Sequence, residues 1–251
     1  MKFVPLKDLQ SAHILLTNDD GINSPALKLL EQELAKICRQ ITVVAPCGER
    51  SGSSHAISAE ISDLSEFDHW HNLPKEVRQL DCNHFCIDGT PADCVNVAVN
   101  LILPQRPDMV VSGINIGKNL AEDVTYSGTV GGAIEGLLNG VRAIAFSQHI
   151  EGRKPDWEIA RHYIAPITTK LAAISFDINT LINVNFPNIP LNKLKGITIA
   201  RHGERRFPNK ELFNHNLPDD YEVIEQNEIS ITPIKIDYTD YDAVEKLQNI
   251  F

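Results

Sequence analysis

Short, continuously apolar segments alternate with helical patterns along the first part of the chain. "HILLT" (13–17) and "ITVVAP" (41–46) are apolar at nearly every position, which is typical of strands buried on both faces. Between them, Ser24 followed by Pro25 predicts the start of a helix. The apolar stripe of that helix recurs at three- and four-residue steps in Leu27, Leu30, Leu34 and Ile37. Strand, helix and strand in close succession predict a βαβ unit with parallel strands.

The same alternation continues as far as residue 150. "DGTPADCVNVAVNLIL" (88–103) begins with Thr90, Pro91 and Asp93 at the spacing of a capped helix, close to a capping box. Further strands are predicted at 107–115 and 141–147, and the segment between them, 125–140, is predicted as a loop that enters a helix and ends at Gly140. Strands that are apolar on both faces and alternate with helices predict the doubly wound α/β class with a mostly parallel sheet.

The pattern is looser after residue 150. A helix is predicted from Asp156 to about Ala173, and a short C-terminal helix in "YDAVEKLQNIF". Strands are predicted at 180–187, 196–201 and 228–234. The polar segment 203–227 has few apolar residues and is predicted to be an extended arm or a mobile loop. We therefore expect residues 1–200 to form the α/β domain, and residues 201–251 to form an arm and helix of the same domain that join subunits.

Composition and charge exclude several classes of protein. The chain has 251 residues and a net charge of -10, which argues against binding to a nucleic-acid duplex because phosphate backbones require clustered Lys and Arg. No stretch approaches the about 20 apolar residues of a membrane span, and the N-terminus lacks a signal-peptide core. The five cysteines have neither the density nor the even number of a disulfide scaffold. A reduced, cytoplasmic setting is the expectation.

Polar clusters follow the predicted strands at the edge where parallel sheets bind ligands. Asp19 and Asp20 come directly after the first strand, and Gly21 allows both carboxylates to converge on one cation. With a Ser hydroxyl and an Asn carbonyl, they predict an all-oxygen site for a hard divalent cation. Such a cation would offset the repulsion between the two charges. The alternative is that both aspartates only cap the following turn or helix.

A second cluster, Ser127-Gly128-Thr129, lies at the start of a predicted helix. Unpaired backbone N–H groups and the helix dipole favour an anion there. A metal site beside a phosphate cradle indicates metal-assisted hydrolysis of a phosphoester. The alternative is a simple N-cap. Two more polar segments lie at strand ends, since 50–54 follows the second predicted strand and 112–115 ends the third. Four polar clusters on the same side of one sheet favour the functional interpretation over four separate structural ones.

Several motifs together resemble one known family. "LLTNDDGI" (15–22), "VVAPCGERSGSSHAIS" (43–58), "DGTPADCV" (88–95) and "PDMVVSGINIGKNLAEDVTYSGTVGGAIEG" (107–136) are similar, in this order, to the SurE family of stationary-phase survival proteins, which are 5'/3'-nucleotidases. The resemblance implies a Rossmann-like domain and a nucleotidase that depends on one Mg²⁺ or Mn²⁺ per subunit. It also implies hydrolysis of nucleoside 5'- and 3'-monophosphates and, as in some members, of short polyphosphates.

The resemblance also implies roles for individual residues. The metal ligands correspond to Asp19, Asp20, Ser51 and Asn115, of which Asp19, Asp20 and Asn115 are also expected to act in catalysis. The phosphate-binding residues correspond to Asn18, Gly52, Asn119, Ser127, Gly128 and Thr129. Attack by water is favoured, and attack by Asp19 through an aspartyl phosphate is the alternative.

The sequence also bears on two alternative functions and on the oligomeric state. A receiver-like signalling domain is disfavoured because no aspartate ends another central strand, and a catalytically silent nucleotide-binding protein is a further alternative. The segment 205–227 is shorter than in similar proteins, where it takes part in subunit exchange. A homodimer joined by the arm and the C-terminal helix is expected, with a tetramer as the alternative.

Overall fold

A computed structural model of the protein describes residues 1–57, 77–150, 152, 154–204 and 216–251. Its strands are β1 (His13–Thr17), β2 (Gln40–Pro46), β3 (Val77–Gln79), β4 (His84–Ile87), β5 (Met109–Ile116), β6 (Arg142–Gln148), β7 (Thr180–Phe186), β8 (Gly196–Ile199) and β9 (Glu228–Lys235). Its α-helices are α1 (Pro25–Leu34), α2 (Pro91–Val97), α3 (Asp123–Tyr126), α4 (Gly128–Leu138), α5 (Glu158–Ala172), α6 (Asp220–Glu225) and α7 (Tyr241–Gln248). A π-helical turn, Ala98–Ile102, continues α2, and a short 3₁₀ turn spans Leu191–Lys193.

The described strands form one sheet in the order β3-β4-β2-β1-β5-β6-β7-β9-β8. The strands from β4 to β7 in this order are parallel, whereas β3 and β9 run antiparallel to β4 and β7. The order reverses between β1 and β5, and this reversal opens a crevice at the carboxyl ends of these two strands. The prediction of a doubly wound, mostly parallel α/β sheet is confirmed.

Helices cover both faces of the sheet. On one face α1 and α5 pack with apolar residues such as Leu30, Ile159 and Phe186. On the other face α2 and α4 pack with residues such as Val95 and Val130. All five residues of β1 are buried, as its continuous apolar run predicts. The fold therefore fixes β1 in a rigid core and leaves the loop after it at the crevice.

Local signals in the sequence start the helices where they were predicted. The Ser24 hydroxyl accepts from the backbone N–H of Ala26 and caps α1. Thr90 and Asp93 form the reciprocal capping box of α2. The stripe of α1 is shorter than predicted, since the helix ends at Leu34. These caps satisfy backbone N–H groups that a helix start leaves without intrahelical partners.

The segment 203–227 differs from its prediction. Residues 205–215 lie outside the described residues, but Asp219 begins a capped helix, α6, in which Val223 and Ile224 are buried. The prediction of an extended arm or a mobile loop is therefore wrong for residues 219–225. The buried carboxylate of Asp220 also accepts from the backbone N–H groups of Ala121 and Gly203, which attaches this helix to the domain. Further along, β9 lies inside the sheet between β7 and β8, so residues 201–251 include a part of the sheet itself.

Two of the cysteines form a disulfide. Cys47, directly after β2, is joined to Cys86 in β4, while Cys38, Cys82 and Cys94 are free. The expectation of reduced thiols is wrong for this pair. The two residues are 39 positions apart, and they meet because β2 and β4 are paired strands, which the sequence analysis did not predict. Among the described residues, no helix is both long and apolar enough to cross a membrane.

Candidate active site

Asp19 is a buried carboxylate at the crevice. It follows β1 and is only 3% exposed. The Thr129 hydroxyl, at the start of α4, donates to Asp19 Oδ1 at 2.6 Å. Burial raises the pKa of the Asp19 carboxyl, and the hydrogen bonds from Thr129 oppose that shift. Two segments 110 residues apart thus fix one carboxylate at the helix N-terminus.

Asp20 is the second carboxylate of the site and is partly buried. Burial, and then the neighbouring charge of Asp19, raise the pKa of Asp20 to about 6. Gly21, with φ +94°, makes the turn, and its missing side chain leaves room for the backbone of Gly48. Among the described residues, no cationic side chain is an electrostatic neighbour of these two adjacent carboxylates. A bound cation stabilises such an arrangement.

The residues around this pair fit a divalent metal. Asp20 Oδ2 and Asn18 Oδ1 are buried and have no hydrogen-bond partner among the described residues, so oxygen atoms are open to a ligand. Within the described part of the chain, no group of three or more His, Cys, Asp or Glu side chains is placed to hold a metal. A metal at this site therefore needs amide, hydroxyl or water oxygens as ligands in addition to the two carboxylates. Mg²⁺ commonly binds such a set of oxygen ligands.

Ser51 and Asn115 lie in segments that contact the aspartate pair. The backbone N–H of Arg50 donates to the carbonyl of Asp19 at 2.7 Å. Ser51 itself is exposed, and its hydroxyl donates to Glu49 Oε1 at 2.9 Å. Asn115 is partly buried and donates to the carbonyl of Gly117 at 3.1 Å. Their neighbours in sequence thus contact the pair, while both side chains are occupied with local partners.

The end of β5 is bent where it approaches Asp20. The pairing register between β5 and β6 shifts between Ser112 and Asn115. Gly113 has φ +138°, and a Cβ there would lie 2.4 Å from the carbonyl oxygen of Phe146, so this position requires glycine. After the bend, the backbone N–H of Ile116 donates to the Asp20 carboxyl and opposes the rise of its pKa.

The N-terminus of α4 forms a cradle beside Asp19. Ser127 caps the helix by accepting from the backbone N–H of Val130 at 3.1 Å. A Cβ built on Gly128 would lie 2.6 Å from Ser53 Oγ and 3.0 Å from Asp19 Cβ. Glycine at this position therefore allows the helix N-terminus, Ser53 and Asp19 to approach one another closely. Backbone N–H groups at such an end favour an anion.

Some predicted phosphate-binding residues have other contacts in this structure. Asn119 is buried, and its amide donates to Ser147 Oγ at 2.8 Å. Asn18 donates to the carbonyl of Gly21 at 3.1 Å, and Thr129 donates to Asp19. Gly52 is exposed with φ +71°. The structure thus places Ser127 and Gly128 at the cradle itself and gives Thr129 and Asn119 supporting contacts.

The sequence analysis missed residues that support the site. Asn183 and Asn185 of β7 both donate to the Asn119 carbonyl, at 2.7 and 3.1 Å, and Asn185 Oδ1 accepts from the Asn119 N–H. Two asparagines two positions apart in an otherwise apolar strand point to the same face, and this was the available signal. Ser53 was not predicted because the sequence does not distinguish it from the other serines of this Ser- and Gly-rich loop.

The sheet reversal, the buried carboxylates and the helix N-terminus together define an α/β protein whose ligand site lies at the carboxyl ends of β1 and β5. The family model of "Survival protein SurE" matches residues 14–232. The chain therefore belongs to the SurE family.

Relatives and a solved structure agree with this assignment. The chain is 35% identical to the 5'-nucleotidase SurE of Paramagnetospirillum magneticum, with 100% of both chains covered. It is 40% identical to the 5'-nucleotidase SurE of Brucella canis, with 90% of this chain and 93% of the relative covered. The SurE protein of Aquifex aeolicus superposes with a TM-score of 0.79 at 31% identity, covering 95% of this chain and 99% of that one.

Proposed function

We propose that the protein is a divalent-metal-dependent nucleotidase that hydrolyses nucleoside 5'-monophosphates to nucleoside and phosphate. The observation that carries this proposal is the pair of adjacent carboxylates with raised pKa values, of which Asp19 lies directly against the N-terminus of α4. One side of the site suits a cation and the other suits an anion, as metal-assisted phosphoester hydrolysis requires. The relatives named 5'-nucleotidase support the choice of substrate.

The chain's own residues divide the work in this proposal. Asp19, Asp20, Ser51 and Asn115 hold the metal, Mg²⁺ or Mn²⁺, with their oxygens. When bound, the metal supplies positive charge that stabilises the phosphoryl group as negative charge develops on it. Thr129 fixes the orientation of Asp19 through its 2.6 Å hydrogen bond. For Ser51 and Asn115, joining the metal requires the exchange of the present contacts with Glu49 and Gly117.

The phosphate binds at the N-terminus of α4, where the backbone N–H of Gly128 and the hydroxyl of Ser127 donate to its oxygens. If most binding contacts are made with the phosphoryl group, substrates that share this group but differ elsewhere are also accepted. We therefore extend the proposal to nucleoside 3'-monophosphates and short polyphosphates. The cytoplasm remains the proposed compartment, although the Cys47–Cys86 disulfide is unusual there.

A panel of nucleotides tests the proposed function. Purified protein is assayed for phosphate release from 5'- and 3'-monophosphates and tripolyphosphate, first in chelator and then with Mg²⁺ or Mn²⁺ added back. We expect turnover to fall to background in chelator and to return with either metal, because the carboxylates cannot neutralise the phosphate without a cation. Full activity with the metal shown to be absent would contradict a metal mechanism. Nucleotide binding without turnover under all conditions would favour a silent binding protein.

We also propose that the chain forms a homodimer through α7. None of the residues of α7 is buried, and a stripe of exposed apolar side chains follows its three-residue spacing and runs past its end. This stripe consists of Tyr241, Val244, Leu247, Ile250 and Phe251. A second copy of the chain can cover it by an isologous contact.

Truncation tests the role of α7. Removing residues 203–251 would delete β9 from the sheet, so the fair truncation removes residues 240–251. We expect the full-length protein to have the mass of a dimer by light scattering and the truncated protein that of a monomer, because the apolar stripe is lost. Lys246→Ala, in the same helix but outside the stripe, should remain dimeric. A monomeric full-length protein, or a truncated one that stays dimeric, would contradict the proposal.

A further inference from the structure

Three serines in the loop after β2 differ in how their hydroxyls are used. Ser51 donates to Glu49 at 2.9 Å, and Ser54 donates to the carbonyl of Thr125 at 2.7 Å. The hydroxyl of Ser53 is buried and has no hydrogen-bond partner among the described residues. A buried hydroxyl that is left unpaired costs free energy. Its presence here indicates a partner outside the described residues.

The location of this hydroxyl identifies the side of the site that it serves. A Cβ built on Gly128 would lie 2.6 Å from Ser53 Oγ, and the same point is 3.3 Å from Asp19 Oδ2. Ser53 Oγ therefore lies against the first residue of α4 and close to the Asp19 carboxylate.

The backbone around Ser53 is anchored on both sides. Its own N–H donates to the carbonyl of Arg50 at 3.3 Å, and its carbonyl accepts from Ala56 at 3.2 Å. The N–H of Ser54 donates to the carbonyl of Tyr126, one residue before the cap of α4, at 3.1 Å. The hydroxyl is thus held in place before any ligand arrives, which lowers the entropy cost of using it.

We propose that Ser53 is a substrate-binding residue whose hydroxyl donates a hydrogen bond to an oxygen of the phosphoryl group at the N-terminus of α4. The proposal rests on the proposed function for the identity of the anion. An anion is favoured over the metal as the partner because the positive end of the helix dipole lies at the same place and repels a cation. The hydroxyl adds a side-chain donor to a cradle that otherwise offers backbone N–H groups.

Binding of inorganic phosphate tests this role without turnover. The Mn²⁺-loaded wild type, Ser53→Ala and Ser54→Ala are titrated with inorganic phosphate by calorimetry, and each metal-free protein is titrated with Mn²⁺. We expect Ser53→Ala to weaken phosphate binding by about 10-fold or more, as for the loss of a hydrogen bond to a charged group. Its Mn²⁺ affinity should stay within about 2-fold of the wild type. Ser54→Ala, which changes the same loop but removes no donor from the cradle, should bind phosphate like the wild type.

Three results would overturn the role of Ser53. These are unchanged phosphate binding in Ser53→Ala, a loss confined to its Mn²⁺ affinity, and an equal loss in Ser54→Ala, which would reflect a disturbed loop. A wild type that binds phosphate but hydrolyses no nucleotide contradicts the proposed function alone. In that case a selective loss of phosphate binding in Ser53→Ala still supports the role of Ser53.

Discussion

Asp20→Asn is expected to lower kcat by about 10²-fold or more, comparable to removing a group that stabilises the transition state. An amide is a weaker ligand for a hard cation than a carboxylate. The variant should also lose the thermal stabilisation that Mn²⁺ gives the wild type, because binding to the folded state is what produces that shift. Both losses follow from one change of charge at the site.

The same substitution is expected to stabilise the metal-free protein at neutral pH. Folding raises the pKa of Asp20 to about 6, so the metal-free folded state binds a proton more tightly than the unfolded chain does. The stabilising effect of that proton is present below about pH 4 and is lost as the pH rises through about 6. In chelator at pH 7.5, Asp20→Asn should therefore raise the free energy of unfolding by about 2 kcal/mol, and the gain should shrink near pH 4.

Urea unfolding in chelator at the two pH values, together with assays in Mn²⁺, measures both effects. Asp8→Asn is the control because Asp8 is exposed and its side chain accepts a hydrogen bond from the Gln10 N–H, which asparagine can also accept. Asp8→Asn should change neither the activity nor the pH dependence of the free energy of unfolding. An Asp20→Asn protein that keeps wild-type kcat, or that is destabilised in chelator at pH 7.5, would contradict the assignment of a cation to this pair.

Gly128→Ala is expected to lower kcat/KM by about 10²-fold while the protein stays folded. The added methyl would lie 2.6 Å from Ser53 Oγ and 3.0 Å from Asp19 Cβ, so it collides with both side chains and displaces a carboxylate of the site. Gly128 does not have a positive φ, and alanine at the first helical position is not unfavourable to the helix itself. The loss should therefore appear in catalysis and phosphate inhibition rather than in the melting temperature.

Gly48→Ala is the matched control. It changes another glycine near the site, but a Cβ there meets no atom within 4 Å. Steady-state kinetics and the inhibition constant for phosphate are compared for both variants and the wild type. Wild-type kcat/KM and wild-type phosphate inhibition in Gly128→Ala would show that the phosphate binds elsewhere. An equal loss in Gly48→Ala would show that any added methyl near the site lowers activity.

Much of the fold could be predicted because its signals are local. The strand at 13–17 is a continuous apolar run, and the residues that cap α1 and α2 stand directly before those helices. By contrast, β3 and β4 have three and four residues and are too short for any periodicity to appear. Helix α6 was missed for the same reason, and the Cys47–Cys86 pair depends on β4.

The candidate site was predicted in its position but not in its contacts. The carboxyl ends of parallel strands meet at one edge, so Asp19 and the start of α4 had to be neighbours. Which atoms meet there depends on side-chain geometry that no sequence spacing encodes. The Thr129 hydroxyl is used by Asp19 and the Asn119 amide by Ser147, whereas Ser53, two residues beyond the predicted Ser51, lines the cradle.

The most direct test of a metal at the aspartate pair is an anomalous difference map from crystals soaked in Mn²⁺ and inorganic phosphate. The account predicts one manganese peak per chain within about 2.5 Å of carboxylate oxygens of Asp19 and Asp20, with phosphate between it and Gly128. A fully soaked crystal with no peak at these carboxylates, or with its manganese bound elsewhere on the chain, would contradict the account.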